Sequence, residues 1–266
     1  MRRRARVLRS VAARQERKML AGVTEWLQKS NKMIRDDFTI WVRKAKYPIP
    51  ADVYGQIEEN GRLILKPIIL DSINVGTEGA RGIVGITGAF DVLNPHSVNA
   101  AERMTGALVT DVTKATKDAI NEIITNKIKE GQSMGQAARA IKPHIGLTTQ
   151  GFQRLAKYEQ VLIERGYSGS QLQKALTSRS QQLIRERSRI IARTETSRAV
   201  SEGNLMAYED LGAKIVVWNV SPGNVCDECL SHANEEFTVG AAYGLIPAHV
   251  SCYCAWLPKD DFKPYT

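Results

Sequence analysis

The residues best equipped for chemistry lie near the C-terminal end. Cys226 and Cys229 form a Cys-x2-Cys pair, and His249, Cys252 and Cys254 answer it as His-x2-Cys-x-Cys. All four cysteines of the chain fall in this stretch. Two thiolates spaced in this way can grip one metal ion from a tight turn, and a second group from a distant loop can close a tetrahedron around it. Asn224 and Pro247 flank the two groups with turn-forming residues. The competing chemistry is a pair of disulfides, which belongs to secreted chains. The first eighteen residues hold arginines but no apolar run of a secretory leader, and disulfides would give His249 no part. Metal is therefore expected. Zinc comes first, because thiolate and imidazole suit it and it is redox-silent. Five donors compete for four places. Cys226, Cys229 and Cys252 are the first choices, and His249 is preferred to Cys254 for the fourth. Four protein ligands close a site, so the expected role is structural, with no catalytic residue.

The elements around these residues can be read from local pattern. Lys214 to Val220 is short and β-branched, which predicts a strand; Ala255 to Leu257 predicts a second. Ser221 to Asn224 turns the first strand into the cysteine pair. A hairpin or small sheet of this size has too little apolar surface for a core of its own, and a metal staple would supply the missing stability. The chain before it reads as helix. Arg6 to Lys46 reads as helix in one or two pieces: it carries Val7, Leu8, Val11, Met19, Leu20, Val23, Trp26 and Leu27 at three- and four-residue steps in an interrupted stripe, and Tyr47 to Pro50 stops it. Ala51 to Asp71 reads as helix with a break at Asn60-Gly61. Gly76, Gly79, Gly82, Gly85 and Gly88 recur every third residue. Without a following Gly-Lys-Ser/Thr they make no phosphate loop, so a flexible or closely packed stretch, helical in part, is expected. Pro95 opens further helix, Thr110 to Lys129 is the most regular segment, and helices follow from Thr149 or Gln150 to Arg165 and from Ser168 or Ser170 to Leu211, the last with a bend near Arg187 and a stop at Gly212. The fold expected is mainly α with a small α+β C-terminal lobe: an elongated helical body followed by a zinc-stapled β-hairpin or knuckle. Its divisions are residues 1–50 (basic N-terminal arm and helices), 51–212 (helical body) and 213–266 (zinc-binding β lobe).

The formal net charge is +9, and it is uneven. Arg2, Arg3, Arg4, Arg6, Arg9, Arg14, Arg17 and Lys18 stand against Glu16 alone in the first eighteen residues. Such a block either stays solvated as a tail or binds a polyanionic partner, DNA or an acidic protein face. No apolar run approaches the ~18 residues of a membrane span, so no membrane partner is expected. The four histidines form no His-Glu-x-x-His or other hydrolytic constellation. His232, near Asp227 and Glu228, is the one stray candidate for acid–base work.

Ile190-Ile191-Ala192-Arg193-Thr194-Glu195-Thr196 lies on the long helix before the first strand. After it come a helix end at Asp210 to Lys214, the Val216-Val217-Trp218 strand, Cys-x2-Cys, Phe237, and a final run with proline, histidine and Cys-x-Cys. This ordered set, tightest from Arg187 to Pro258, resembles the phage Mu F-like minor head proteins of the phage head morphogenesis family. In two places the chain departs from that pattern: the run from Ser221 to Val225, just before Cys226, has no arginine, and Val250 and Tyr253 replace a proline and an arginine. The resemblance implies a structural minor capsid protein of a tailed phage or prophage. Such a protein associates with the portal protein at the portal vertex, inside the head, and is present in the host cytoplasm during assembly. Scaffolding protein, major capsid protein and DNA are further partners on that reading, and Arg193, Thr194 and Glu195 are its signature. The alternative from the residues alone is a zinc-dependent nuclease or other DNA-processing enzyme. Arg193 and Glu195 are expected to be partly buried and to hold the metal lobe on the helical body, the guanidinium on carbonyls of the cysteine turns and the carboxylate on their N–H groups.

Overall fold

Long helices require apolar positions at three- and four-residue spacing, and four segments of the chain sustain that spacing for more than thirty residues. The computed structural model describes residues 2–43, 50–86, 94–133, 136, 141, 144–220, 225–259 and 262. Its helices are α1 (Arg2–Arg43), α2 (Ala51–Ile83), α3 (Pro95–Lys129), α4 (Thr149–Glu164) and α5 (Gly169–Asp210). The small lobe follows as β1 (Ile215–Asn219), α6 (Asp227–Ser231), β2 (Glu236–Thr238), α7 (Val239–Ala242) and β3 (Ala255–Pro258). The fold is mainly helical with a C-terminal three-stranded antiparallel sheet, as expected. No helix among the described residues is long and apolar enough to cross a membrane.

The chain divides into two compact units. Met1–Val23, Leu63–Gly106 and Arg189–Thr266 form the first, and Thr24–Arg62 with Ala107–Ser188 the second. In the first unit α2 carries on through Gly76, Gly79 and Gly82, in line with the closely packed, partly helical alternative for the glycine repeat. Gly76 and Gly79 are helical, and the helix ends before Gly85, whose φ of 82° only glycine adopts freely. Gly88 lies outside the described residues. A Cβ on Gly76 would strike the Val200 backbone of α5, and one on Gly203 would strike the Ile73 carbonyl. The two backbones touch at these glycines, and Thr77 Oγ1 donates across the contact to the Gly203 carbonyl at 3.1 Å. α5 then stops at Gly212, φ 82°, where Ala213 N–H donates to Tyr208 O (2.8 Å) and Gly212 N–H to Glu209 O (2.9 Å), a Schellman end.

The strands lie in the order β2-β1-β3. Trp218 pairs in register with Trp256, and Val216 with Phe237. The Trp218 and Trp256 rings meet edge-on at 5.2 Å, and Phe237 meets Trp256 at 5.4 Å. This aromatic cluster gives the short sheet a core that its length alone would not provide. β2 escaped the sequence reading because three residues, Glu236-Phe237-Thr238, are too few to show an alternation.

In the second unit, α2 passes Asn60-Gly61 without the expected break. Gly61 instead makes room for the fully buried Trp26, whose Nε1 donates to Ile57 O at 2.8 Å. Arg187 is half-buried and pairs with no carboxylate among the described residues. Its Nη1 donates to Gly146 O (2.8 Å) and Thr116 Oγ1 (3.1 Å), and its Nη2 to Val112 O (3.2 Å). Burial lowers its pKa to about 10, which leaves the guanidinium charged at neutral pH.

Candidate metal centre

Cys226 caps the N-terminus of α6: its Sγ accepts from Cys229 N–H at 3.4 Å, which brings two sulfurs three positions apart to one side of a single turn. The second group sits on the turn from His249 to Cys252, closed by Cys252 N–H donating to His249 O at 3.2 Å. Ser251 in that turn has φ 63°, a left-handed conformation uncommon outside glycine. His249 Nδ1 lies 2.8 Å from Val250 O. A carbonyl only accepts, so Nδ1 carries the proton and Nε2 keeps its lone pair. That lone pair faces sulfur: Nε2 is 3.0 Å from both Cys226 Sγ and Cys229 Sγ. Cys229 Sγ is 3.6 Å from Cys252 Sγ, close to the ~3.8 Å edge of a tetrahedron with zinc–sulfur bonds of ~2.3 Å.

Two sets of three donors overlap here. Cys226, Cys229 and His249 have donor atoms within 4.8 Å of one another, and so do Cys229, Cys252 and Cys254. The five residues picked out by spacing are therefore brought together, and they are close enough to bind a metal. The donor chemistry fits one. Backbone N–H groups point at Cys226 Sγ and, from Cys254 at 3.5 Å, at Cys252 Sγ, as thiolates require. The Cys254 thiol holds Cys252 well below the usual thiol range, at about 5, while the same contact pushes Cys254 up. Cys226 is exposed and the other three cysteines are buried.

The signature residues lie against this centre, with roles partly different from those expected. Thr194 Oγ1 accepts from Ser251 N–H at 3.0 Å, the contact assigned in advance to Glu195. Glu195 is buried and instead takes a bidentate pair from Arg198 Nη1 at 2.7 and 2.8 Å, three residues on along the same helix. Arg193 meets the Tyr253 ring, 4.5 Å from its centroid, and its Nε donates to Glu16 Oε1 at 3.3 Å rather than to a cysteine-turn carbonyl. Tyr253 OH donates to the other oxygen of Glu16 at 3.4 Å. Glu16 and Tyr253 were missed in the sequence, although Glu16 is the lone acid in the basic block and Tyr253 sits between two candidate ligands.

The basic stretch is the first half of α1 rather than an arm free of the body. Leu8, Val11, Gln15 and Met19 are buried on one side of it. Arg6, Arg14 and Arg17 are exposed, Lys18 is exposed and paired with Asp71 at 2.7 Å, and Arg9 is half-buried, donating to Asn219 Oδ1 at 3.3 Å. The side chains of Arg2, Arg3 and Arg4 lie outside the described residues. His232 stacks on Trp218 with its Nδ1 2.6 Å from Glu235 Oε2, and no nucleophile is placed against it among the described residues. The chain has no match among protein-family models, curated proteins or solved structures.

Proposed function

We propose that this chain is a structural minor head protein of a tailed phage or prophage, seated at the portal vertex inside the head, with one structural zinc in its C-terminal lobe. Cys226, Cys229, Cys252 and His249 would hold the ion, and Cys254 would stand beside it as a fifth, buried sulfur. Bound zinc would supply cross-linking of the two cysteine turns and no reaction chemistry. The observation that carries the reading is that the Arg193-Thr194 signature touches the cysteine turns directly, through Ser251 and Tyr253. The ordered motif set thus corresponds to one physical assembly rather than to scattered likenesses. A zinc hydrolase needs an open coordination position for water, and five protein donors crowd this centre, which favours the structural reading over the nuclease. The exposed Arg6, Arg14 and Arg17 of α1 suit DNA or an acidic face of the portal. Mass spectrometry and cross-linking of purified heads test the assignment. The expected result is a few copies per head, cross-linked to the portal protein; a chain abundant in the producing cell but missing from heads would refute it.

A further inference from the structure

Within the stretch from His249 to Cys254, two sets of residues alternate. His249, Cys252 and Cys254 turn toward the metal centre. Ser251 and Tyr253, between them, turn toward the helices: Ser251 N–H bonds Thr194 of α5, and Tyr253 engages Arg193 of α5 and Glu16 of α1. β3 continues the second set, with Ala255 and Leu257 packed against Leu8 of α1 and against Ile83. The crevice among Leu8, Arg9, Glu16, Arg193 and Tyr253 holds about 20 Å³, room for one water, so these side chains close on one another rather than around a ligand.

We infer that metal occupancy and the docking of the Arg-rich half of α1 are one coupled equilibrium, with Arg193 and Thr194 as positioning residues of the metal centre. This rests on the metal centre proposed above. The same six residues must adopt one backbone shape to present their donors inward and Ser251 and Tyr253 outward. That shape includes the left-handed Ser251, which persists only where its surroundings hold it. A metal that fixes the loop removes the ordering cost of the helix contacts, and the helix contacts remove part of the ordering cost of binding metal. Coupling of this kind is reciprocal. Loss of the ion would free the Leu8, Arg9 and Glu16 contacts and release the basic helix whose outer face bears Arg6, Arg14 and Arg17.

The test uses the full chain and zinc alone. Zinc affinity is measured by competition with a chromophoric chelator, and amide hydrogen exchange is followed across residues 8–19 with zinc bound and after chelation. Thr194→Val, which removes the acceptor for Ser251, is expected to weaken zinc binding by roughly 10- to 100-fold, the usual effect of an outer-shell partner. Thr194→Ser, which keeps the hydroxyl, is expected to restore it. In the parent chain, chelation is expected to speed exchange across residues 8–19 roughly tenfold or more, while residues 107–124 of α3 keep their rates. Unchanged affinity in a folded Thr194→Val chain, or exchange across residues 8–19 indifferent to chelation, overturns the coupling and leaves the metal centre standing. A folded chain that takes up no zinc overturns both.

Discussion

His144 is a turn residue whose ring is buried, 4.8 Å from that of Phe152 in an edge-on contact. Burial, with the charge of Lys127 adding to it, pushes its pKa down to about 4. The unfolded ring titrates near ~6.5, so between these values the unfolded chain binds the extra proton. Stability is then complete above about pH 6.5 and falls by up to ~3 kcal/mol as the pH drops toward about 4. Urea midpoints followed through Trp26, from pH 4 to 7, should show this slope in the parent and lack most of it in His144→Leu; an equal slope in both would place its source elsewhere. A turn at this point is signalled in the sequence by Pro143, just before it. The burial is not, because it comes from Phe152 on α4, and no local pattern announces a contact made by packing. The signature residues show the same limit. That Glu195 and Arg198 share a face follows from their spacing. That Thr194 rather than Glu195 receives the Ser251 N–H depends on where a loop 57 residues later lies.

The glycines of α2 and α5 illustrate what an element hides in its sequence. A three-residue glycine period leaves looseness and close packing equally open, and the packing decides: Gly76 and Gly203 mark where two helix backbones meet. Gly76→Ala is expected to destabilise the first unit by about 1–3 kcal/mol through overpacking. Gly55→Ala, in the same helix with nothing within 4 Å of a built Cβ, should stabilise by roughly 0.5–1 kcal/mol. Thermal melts of the two variants check the pair, and equal effects would remove the close-approach explanation. Helix periodicity carried α1 through α5 well, because their apolar stripes are long. The break expected at Asn60-Gly61 is not realised, because packing against Trp26 outweighs a cost of ~1 kcal/mol per helical glycine. The outer face of α1 makes its own prediction. If Arg6, Arg14 and Arg17 contact phosphates, log affinity for duplex DNA falls against log salt by ~0.9 per contact. Replacing all three with Ala should then flatten the slope by about 2–3, as filter binding at several salt concentrations would show. An unchanged slope would assign this face to a protein partner.

At the scale of the molecule, the small lobe is joined to its unit by the packing of Leu205 and Tyr208 with Val216, Trp218 and Trp256, by the Leu8–Ala255–Leu257 packing, by the Tyr208–Trp256 and Thr194–Ser251 hydrogen bonds, and by the Arg193–Tyr253–Glu16 cluster. The five clustered donors were legible because thiol and imidazole spacing is set by coordination chemistry, which leaves its mark in sequence. The contacts to α1 were not, because they join residues 177 or more positions apart. Structural zinc in such a lobe contributes on the order of 10 kcal/mol to its local fold, so chelation should loosen residues 213–259 and leave the helices of the second unit intact. The most direct measurement is elemental analysis, with X-ray absorption at the metal edge, of the full chain purified without chelator. One zinc per chain bound by three sulfurs and one nitrogen is the predicted result; a fully folded chain that carries no metal would contradict it.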